Sequence, residues 1–285
     1  TMISTKNITR SQNMALYNVN EEIDNSSPKT LLREEDNGIC LLTLNRPKAH
    51  NSLNLELLNE LQRELSEIST NKSIDVLIIG ANGNSFCSGH DLKELRSNES
   101  EKIIPLIFNL CCEIMQLIIE LPQPVIAQVQ GTATAAGCQL VASCDLAISA
   151  KSAEFITPGV NIGLFCSTPM VALSRNIPRK VVMEMLMTGE PMDSHNAEKW
   201  GLVNSVVPDE KLTEEVLILA RKIRNKSRHT VKIGKNAFYK QLDMSLSDAY
   251  QFTSEIMIQN MHSIDAKEGI DAFLEKRKAD WKTKN

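Results

Sequence analysis

The 285 residues, 42% of them hydrophobic, suffice to bury the core of one large domain with an appendage. A formal net charge of −4, with Lys and Arg distributed along the chain, leaves no electrostatic footprint for a nucleic-acid groove. No apolar run approaches the roughly 20 residues needed to span a bilayer, so membrane insertion is not expected.

The seven cysteines, at 40, 87, 111, 112, 138, 144 and 166, form no CxxC pair and match no zinc spacing; they read as buried thiols in a reducing compartment. Residues 1–20 hold Lys6 and Arg10, several Ser and Thr, and no acid before Glu21. This is the bias of a mitochondrial transit segment, with a disordered tail over 1–29 as the alternative. Order is expected to begin near Thr30, after the polar stretch that ends at Pro28.

Thr30 to Glu35 and Ile39 to Asn45 read as strands joined by Asp36-Asn37-Gly38, a hairpin turn. Leu53, Leu57, Leu61, Leu65 and Ile68 fall at helical spacing, with Ser52 as cap. Asp75 to Gly80, a helix from Lys102 to Glu120, and Pro124 to Gln130 make a strand–helix–strand unit. The pattern continues with an apolar segment from Ala135 to Ser143, a strand from Asp145 to Ser149, a helix from Val181 to Met187 and a strand from Leu202 to Val207. The sheet is therefore expected to be largely parallel and covered by helices. From Thr213 onward only helices are signalled, giving a core over 30–212 and a helical C-terminal subdomain over 213–285.

Two glycine-containing loops follow strands and open helices: Ser85 to Lys93 (SFCSGHDLK) and Gly131 to Gln139 (GTATAAGCQ). Such junctions offer free backbone N–H groups and the positive end of a helix dipole, suited to an anion or a developing oxyanion. Neither loop has the spacing of a dinucleotide or nucleoside-triphosphate motif.

The segments NRPKAHNSLN (Asn45 to Asn54), FCSGHDLKEL (Phe86 to Leu95), PVIAQVQGTATAAGCQLVASCDLAI (Pro124 to Ile148) and EGIDAFLEKRK (Glu268 to Lys278) resemble, in order, the signature blocks of the enoyl-CoA hydratase/isomerase, or crotonase, superfamily. The resemblance implies an α/β crotonase (ClpP/crotonase) fold of repeated ββα units, a coenzyme A thioester as ligand with no permanent cofactor, and assembly as a trimer or a dimer of trimers. It also implies a place in fatty acid metabolism in the mitochondrial matrix. Matched motif to motif, the backbone N–H groups of His90 and Ala136 would polarise the thioester carbonyl. Lys48, Ala49, His50, Ser88, Asp91, Leu92, Lys93 and Lys276 would meet the adenine and phosphates of coenzyme A.

The family's two catalytic glutamates fall on Gln139 and Gly159, and neither residue exchanges a proton. Gly159 is expected to hold a backbone conformation that glutamate tolerates poorly. Loss of both acids should remove most hydratase chemistry, since each proton-transfer group typically supplies about 10²–10⁴-fold. Substitute acids are Glu94, read as an exposed helix residue, Asp91, the His90 ring and Cys166; Asp91 and Asp145 are expected to serve structural hydrogen bonds, and Cys166 to be a buried thiol. Two alternatives stand beside an acyl-CoA-binding protein without efficient hydratase activity: an enzyme with an unconventional acid, and a structural partner without ligand.

Overall fold

A computed structural model describes residues 29–97 and 100–281; the transit-segment expectation lies outside them. β1 (Leu31–Asp36) and β2 (Ile39–Leu44) form the expected antiparallel hairpin. Its turn residues Asn37 and Gly38 both take positive φ, as a two-residue hairpin turn requires. A 3-10 turn at Pro47–Ala49 leads to α1 (Leu55–Thr70), β3 (Val76–Ala81), β4 (Ser85–Cys87), α2 (Leu92–Leu95) and α3 (Ser100–Glu120). Next come β5 (Val125–Val129), β6 (Thr132–Thr134), α4 (Ala136–Ser143), β7 (Leu146–Ala150) and β8 (Glu154–Ile156). After a 3-10 segment at Pro158–Ile162 follow α5 (Pro169–Asn176), α6 (Arg179–Thr188), β9 (Met192–Asp193), α7 (Ser194–Trp200) and β10 (Ser205–Val207). The chain closes with α8 (Leu212–Arg224), α9 (Arg228–Gln241), α10 (Leu246–Met261) and α11 (Ile264–Leu274).

The strands make a six-stranded sheet in the order β1-β2-β3-β5-β7-β10, parallel except at the hairpin, and a four-stranded sheet in the order β4-β6-β8-β9. In β3 the apolar run is continuous because both faces are covered. Leu77 and Ile79 point into the core that contains α1 and α3, whereas Val76 and Ile78 meet Leu212, Val216 and Ala220 of α8. The helical spacing over α1 buries Leu57, Leu58, Leu61, Leu65 and Ile68. Each contributes about 1.5–3 kcal/mol on burial, and Leu61→Ala would cost roughly 2–5 kcal/mol.

Several expectations are corrected. Asn54, not Ser52, caps α1, its side chain accepting from Leu57 N at 3.1 Å, because Ser52 Oγ is engaged by Asp91 at 3.1 Å. The last strand shrinks to Ser205–Val207, and the four-stranded sheet was not foreseen. By length and composition α3 is apolar enough to cross a bilayer over Glu101–Glu120; here it packs along α1 and buries Ile107, Cys111, Ile114 and Ile118.

The C-terminal helices are tied to the core by charge. Asp145 accepts from Val125 N (2.7 Å), Lys235 Nζ (2.7 Å) and Tyr239 OH (2.9 Å), the structural role expected of it. Lys235 also donates to the carbonyls of Ile118 and Gln123, and burial lowers its pKa despite the carboxylate beside it. Arg228 Nε bonds Asp75 at 2.7 Å.

Candidate functional site

The two glycine-containing loops meet. Leu53 N donates to Gly89 O (2.8 Å) and Asp91 N to Leu53 O (3.0 Å), so Leu53 and His90 form an isolated parallel bridge that fixes the first loop. Gly89 has φ +83°, and a Cβ there would lie 3.0 Å from Thr134 O, 3.1 Å from Ala135 Cβ and 3.3 Å from Ala136 N. Only glycine admits that approach. Farther along, a Cβ on Gly137 would lie 2.2 Å from Cys87 O, so α4 packs backbone against backbone on β4.

Ala135, at φ 50° and ψ −110°, turns the chain from β6 into α4, and its own N–H is held by Ile156 O at 2.8 Å. An alanine at positive φ stores backbone strain of about 1–3 kcal/mol, and such strain clusters at functional sites. All eight residues of α4 are buried and no side chain caps it. Within the described residues, the N–H groups of His90 and Ala136 donate no hydrogen bond. Two unpaired backbone donors at neighbouring junctions, one opening a buried helix, suit a carbonyl oxygen that gains negative charge.

The His90 ring packs edge-on against Phe108, with centroids 4.6 Å apart, and its Nε2 is buried without a partner. Burial lowers its pKa to about 4, so the ring is neutral at physiological pH and does not serve as an ionised acid there. Gln139 is 4% exposed, and its Oε1 is likewise buried and unpartnered, as is Oγ1 of Thr157. Gly159 is buried, and its φ is not positive, which corrects the expected backbone reason for a glycine there. The constraint is space: a Cβ would lie 3.0 Å from both Cys166 Sγ and Leu164 O. Cys166 is a buried thiol, as expected, and burial raises its pKa, which disfavours the thiolate form.

Asp91 accepts from Arg46 (3.0 Å), Ser52 and Lys93 N (3.1 Å each). Burial alone would raise its pKa, but Arg46 and Ser52 outweigh it and hold the carboxyl below its usual range. Glu94 is half-buried rather than exposed, accepts from Leu55 N at 3.0 Å, and burial raises its pKa above the usual range.

Lys48 and Ala49 sit in the 3-10 turn beside His50, whose Nδ1 lies 3.1 Å from Ser85 Oγ and whose carbonyl receives Ser88 N at 3.0 Å. Lys48, His50, Leu92 and Lys93 are exposed around one edge of this loop pair. Lys276, exposed and at φ 55°, follows α11, which packs on α9 and α10, and among the described residues no hydrogen bond or ion pair joins it to these loops. Sequence reasoning missed Arg46, whose guanidinium reaches Ser52 O, Ser52 Oγ and Asp91 and so binds the first motif to the second. The signal was present as the arginine of NRPKAHNSLN. It also missed Asn51, which bridges to the carbonyls of Asn82 and Ser85 at 2.8 Å.

Residues 34–284 match the family model described as enoyl-CoA hydratase/isomerase. The chain is 48% identical, over 90% of its length and 86% of the relative, to "Enoyl-CoA hydratase domain-containing protein 3, mitochondrial" of Xenopus laevis. It is 47% identical to the Homo sapiens protein of that name, over 90% of this chain and 84% of the relative. The crystal structure of human enoyl Coenzyme A hydratase domain-containing protein 3 superposes with a TM-score of 0.87, covering 88% of this chain and all of that one. That of enoyl-CoA hydratase from Mycobacterium smegmatis also gives 0.87, at 44% identity, with coverage of 90% and 99%.

Proposed function

The chain belongs to the enoyl-CoA hydratase/isomerase, or crotonase, family, and on that premise we propose that it binds a coenzyme A thioester but lacks the proton-transfer groups that hydration requires. One observation carries this reading: Gly89 abuts Ala136 N, so the unpaired N–H groups of His90 and Ala136 belong to touching backbone segments. A thioester carbonyl bound there gains its stabilisation from backbone alone, worth roughly a hundredfold or more in rate per donor where chemistry follows. Gln139 and Gly159 supply no exchangeable proton beside it.

The coenzyme A moiety lies along Lys48, Ala49, His50, Ser88, Leu92 and Lys93, with the lysines as point charges for phosphates. Asp91 acts by shaping the loop, since its carboxylate is already engaged by Arg46 and Ser52. The protein works in mitochondria, as the names of its relatives say of them, and assembles as a trimer or dimer of trimers. Exposed apolar side chains on α10 and α11 support assembly, among them Leu246 at 76% and Phe273 at 81% exposure. Contact with a neighbouring protomer would also account for Lys276 as a ligand residue remote from the loops of its own chain. A monomer at micromolar concentration in light scattering would contradict this.

Calorimetry with acetyl-CoA and a medium-chain acyl-CoA tests binding. No heat, and no competition by free coenzyme A up to about millimolar, would leave only a structural partner. Crotonyl-CoA hydration by the wild type is expected to be negligible; turnover of order 10² per second, within the range of ordinary enzymes, would overturn the reading. A second reading is an enzyme with an unconventional acid, for which half-buried Glu94 is the candidate, on the helix that follows His90 and with its carboxylate accepting from Leu55 N. Glu94→Gln should then abolish isomerase or thioesterase turnover while leaving acyl-CoA affinity unchanged.

A further inference from the structure

Residues 221–240 carry eight Lys and Arg and no Asp or Glu, whereas the other 265 residues carry 23 basic and 35 acidic side chains. The positive charge is therefore concentrated, not evenly distributed as the sequence reading held. This segment spans the end of α8 and nearly all of α9. Between it and the turn after α1 lies a cleft of about 310 Å³. Lys72 enters from the α1–β3 turn, Lys226 from the α8–α9 turn and Lys232 from α9, and none of the three forms an ion pair among the described residues. Among the described residues the cleft has one carboxylate, Asp75, which Arg228 holds at 2.7 Å.

The cleft runs into a second hollow of about 490 Å³, with which it shares Pro124, Ile223, Lys226 and Val231. Leu146 and the 57%-exposed Phe238 extend that hollow as an apolar trough. Its carboxylate, Asp145, is already engaged by Lys235 and Tyr239. The cleft opens at the N-terminal ends of β3 and β5, where Asp75 and Pro124 sit, and the second hollow at those of β5 and β7, beside Pro124 and Asp145. The His90 and Ala136 junctions lie beyond the opposite ends of those strands, roughly 17–20 Å away along the sheet.

We propose that this basic cleft and apolar trough form a second binding site, for a monomeric single-chain lipid with a phosphate head. A phosphomonoester carries close to two negative charges, which three ammonium groups from three segments match as point charges. The hydrocarbon chain lies in the trough over Leu146, Val231 and Phe238, burying apolar surface that is otherwise in water. The charges line a concavity rather than a convex face, which selects one lipid molecule over a bilayer. The site is independent of thioester binding.

The test is calorimetry of the full chain with oleoyl lysophosphatidate below its micellar concentration. Saturable binding of one lipid per chain is expected, weakened by added salt. Lys226→Glu with Lys232→Glu should weaken it about thirtyfold, at roughly a tenfold loss per 1.4 kcal/mol and about 1 kcal/mol per lysine. Lys72→Glu, on a separate element, should weaken it by about fivefold on the same scale. Acetyl-CoA affinity should be unchanged in both variants, which separates failure of this site from failure of the thioester reading. Monooleoylglycerol and glycerol 3-phosphate should each bind at least tenfold more weakly than the complete lipid. The proposal is overturned by absence of binding, by unchanged affinity in the lysine variants, or by equal affinity for either half-ligand. Capture only by phosphatidate vesicles would also overturn it, in favour of a membrane surface. A charge-reversed variant that changed oligomeric state would overturn it in favour of a second copy covering the groove.

Discussion

At the start of α4 everything that could act on a ligand is backbone, whereas at Gly159 everything that would have to act is a side chain that is missing. The first region rests on glycines: Gly89 touches Ala136, and Gly137 touches Cys87. Its donors persist whatever side chains His90 and Ala136 carry. The second depends on particular carboxyl groups, and the space for one is filled by Cys166 and Leu164. On the proposed reading, the half of the site that backbone packing enforces is kept, and the half that rests on carboxyl side chains is the one that substitution can remove.

Rebuilding the side-chain half is the largest perturbation. Gln139→Glu with Gly159→Glu should raise crotonyl-CoA hydration by about 10²-fold or more over wild type, with each single variant doing less. Because Cys166 Sγ crowds position 159, adding Cys166→Ala should improve the double variant further, as read by absorbance of the enoyl thioester. A folded double variant that bound acyl-CoA and remained inert would mean that the site has diverged beyond these positions.

Breaking the backbone half should cost stability first. Gly137→Ala forces a Cβ against the Cys87 carbonyl and is expected to lose about 3 kcal/mol in urea denaturation. Native-like stability there would show that α4 can retreat from β4.

The His90 side chain sharpens the contrast, since its backbone matters and its ring does not ionise. Its pKa falls from 6.5 to about 4 on burial, so between those values the unfolded chain binds the proton that the fold refuses. Wild-type stability should therefore decline as pH falls from 6.5 towards 4, by up to about 3 kcal/mol from this group. His90→Leu should flatten that part of the profile, and an unchanged slope would assign the decline to carboxylates. Smallest is Gln139→Met, which removes a buried carbonyl oxygen without a partner and should stabilise the fold by about 1 kcal/mol. A loss would mean that the amide is satisfied by water.

The hairpin, α1, β3, α3, β5 and the C-terminal helices were legible because each is either long and periodic or bounded by turn residues. The four-stranded sheet was not, because β4, β6, β8 and β9 run for three residues or fewer and show no alternation. Choosing between Ser52 and Asn54 as cap needed knowledge of Asp91, which is distant in sequence. In the site, Gln139 and Gly159 stand in the sequence where the family resemblance expects glutamates, whereas the strained turn at Ala135 and the crowding of Gly159 could not be read there. Both arise where separate segments meet: Ala135 N bonds Ile156 O, and residues 164–166 fold back over Gly159. The clustered lysines were visible in the sequence but meant little until the fold set Lys72 beside them.

The carboxylate of Asp145 lies 90 residues ahead of its ammonium partner, and Asp75 lies 153 ahead of Arg228. On the ribosome both acids, and the strands β3 and β7 that directly follow them, emerge well before either cation. Until α9 has been synthesised, Asp145 can accept from Val125 N but from neither Lys235 nor Tyr239, and Asp75 lacks Arg228, so burying either carboxylate gives up solvation that its remaining partners repay only in part. The nascent core is therefore restrained from settling, and the last helices act as the fastening that lets it do so. A chain released before α9 would keep most of its strands and helices while lacking the charges that let them close.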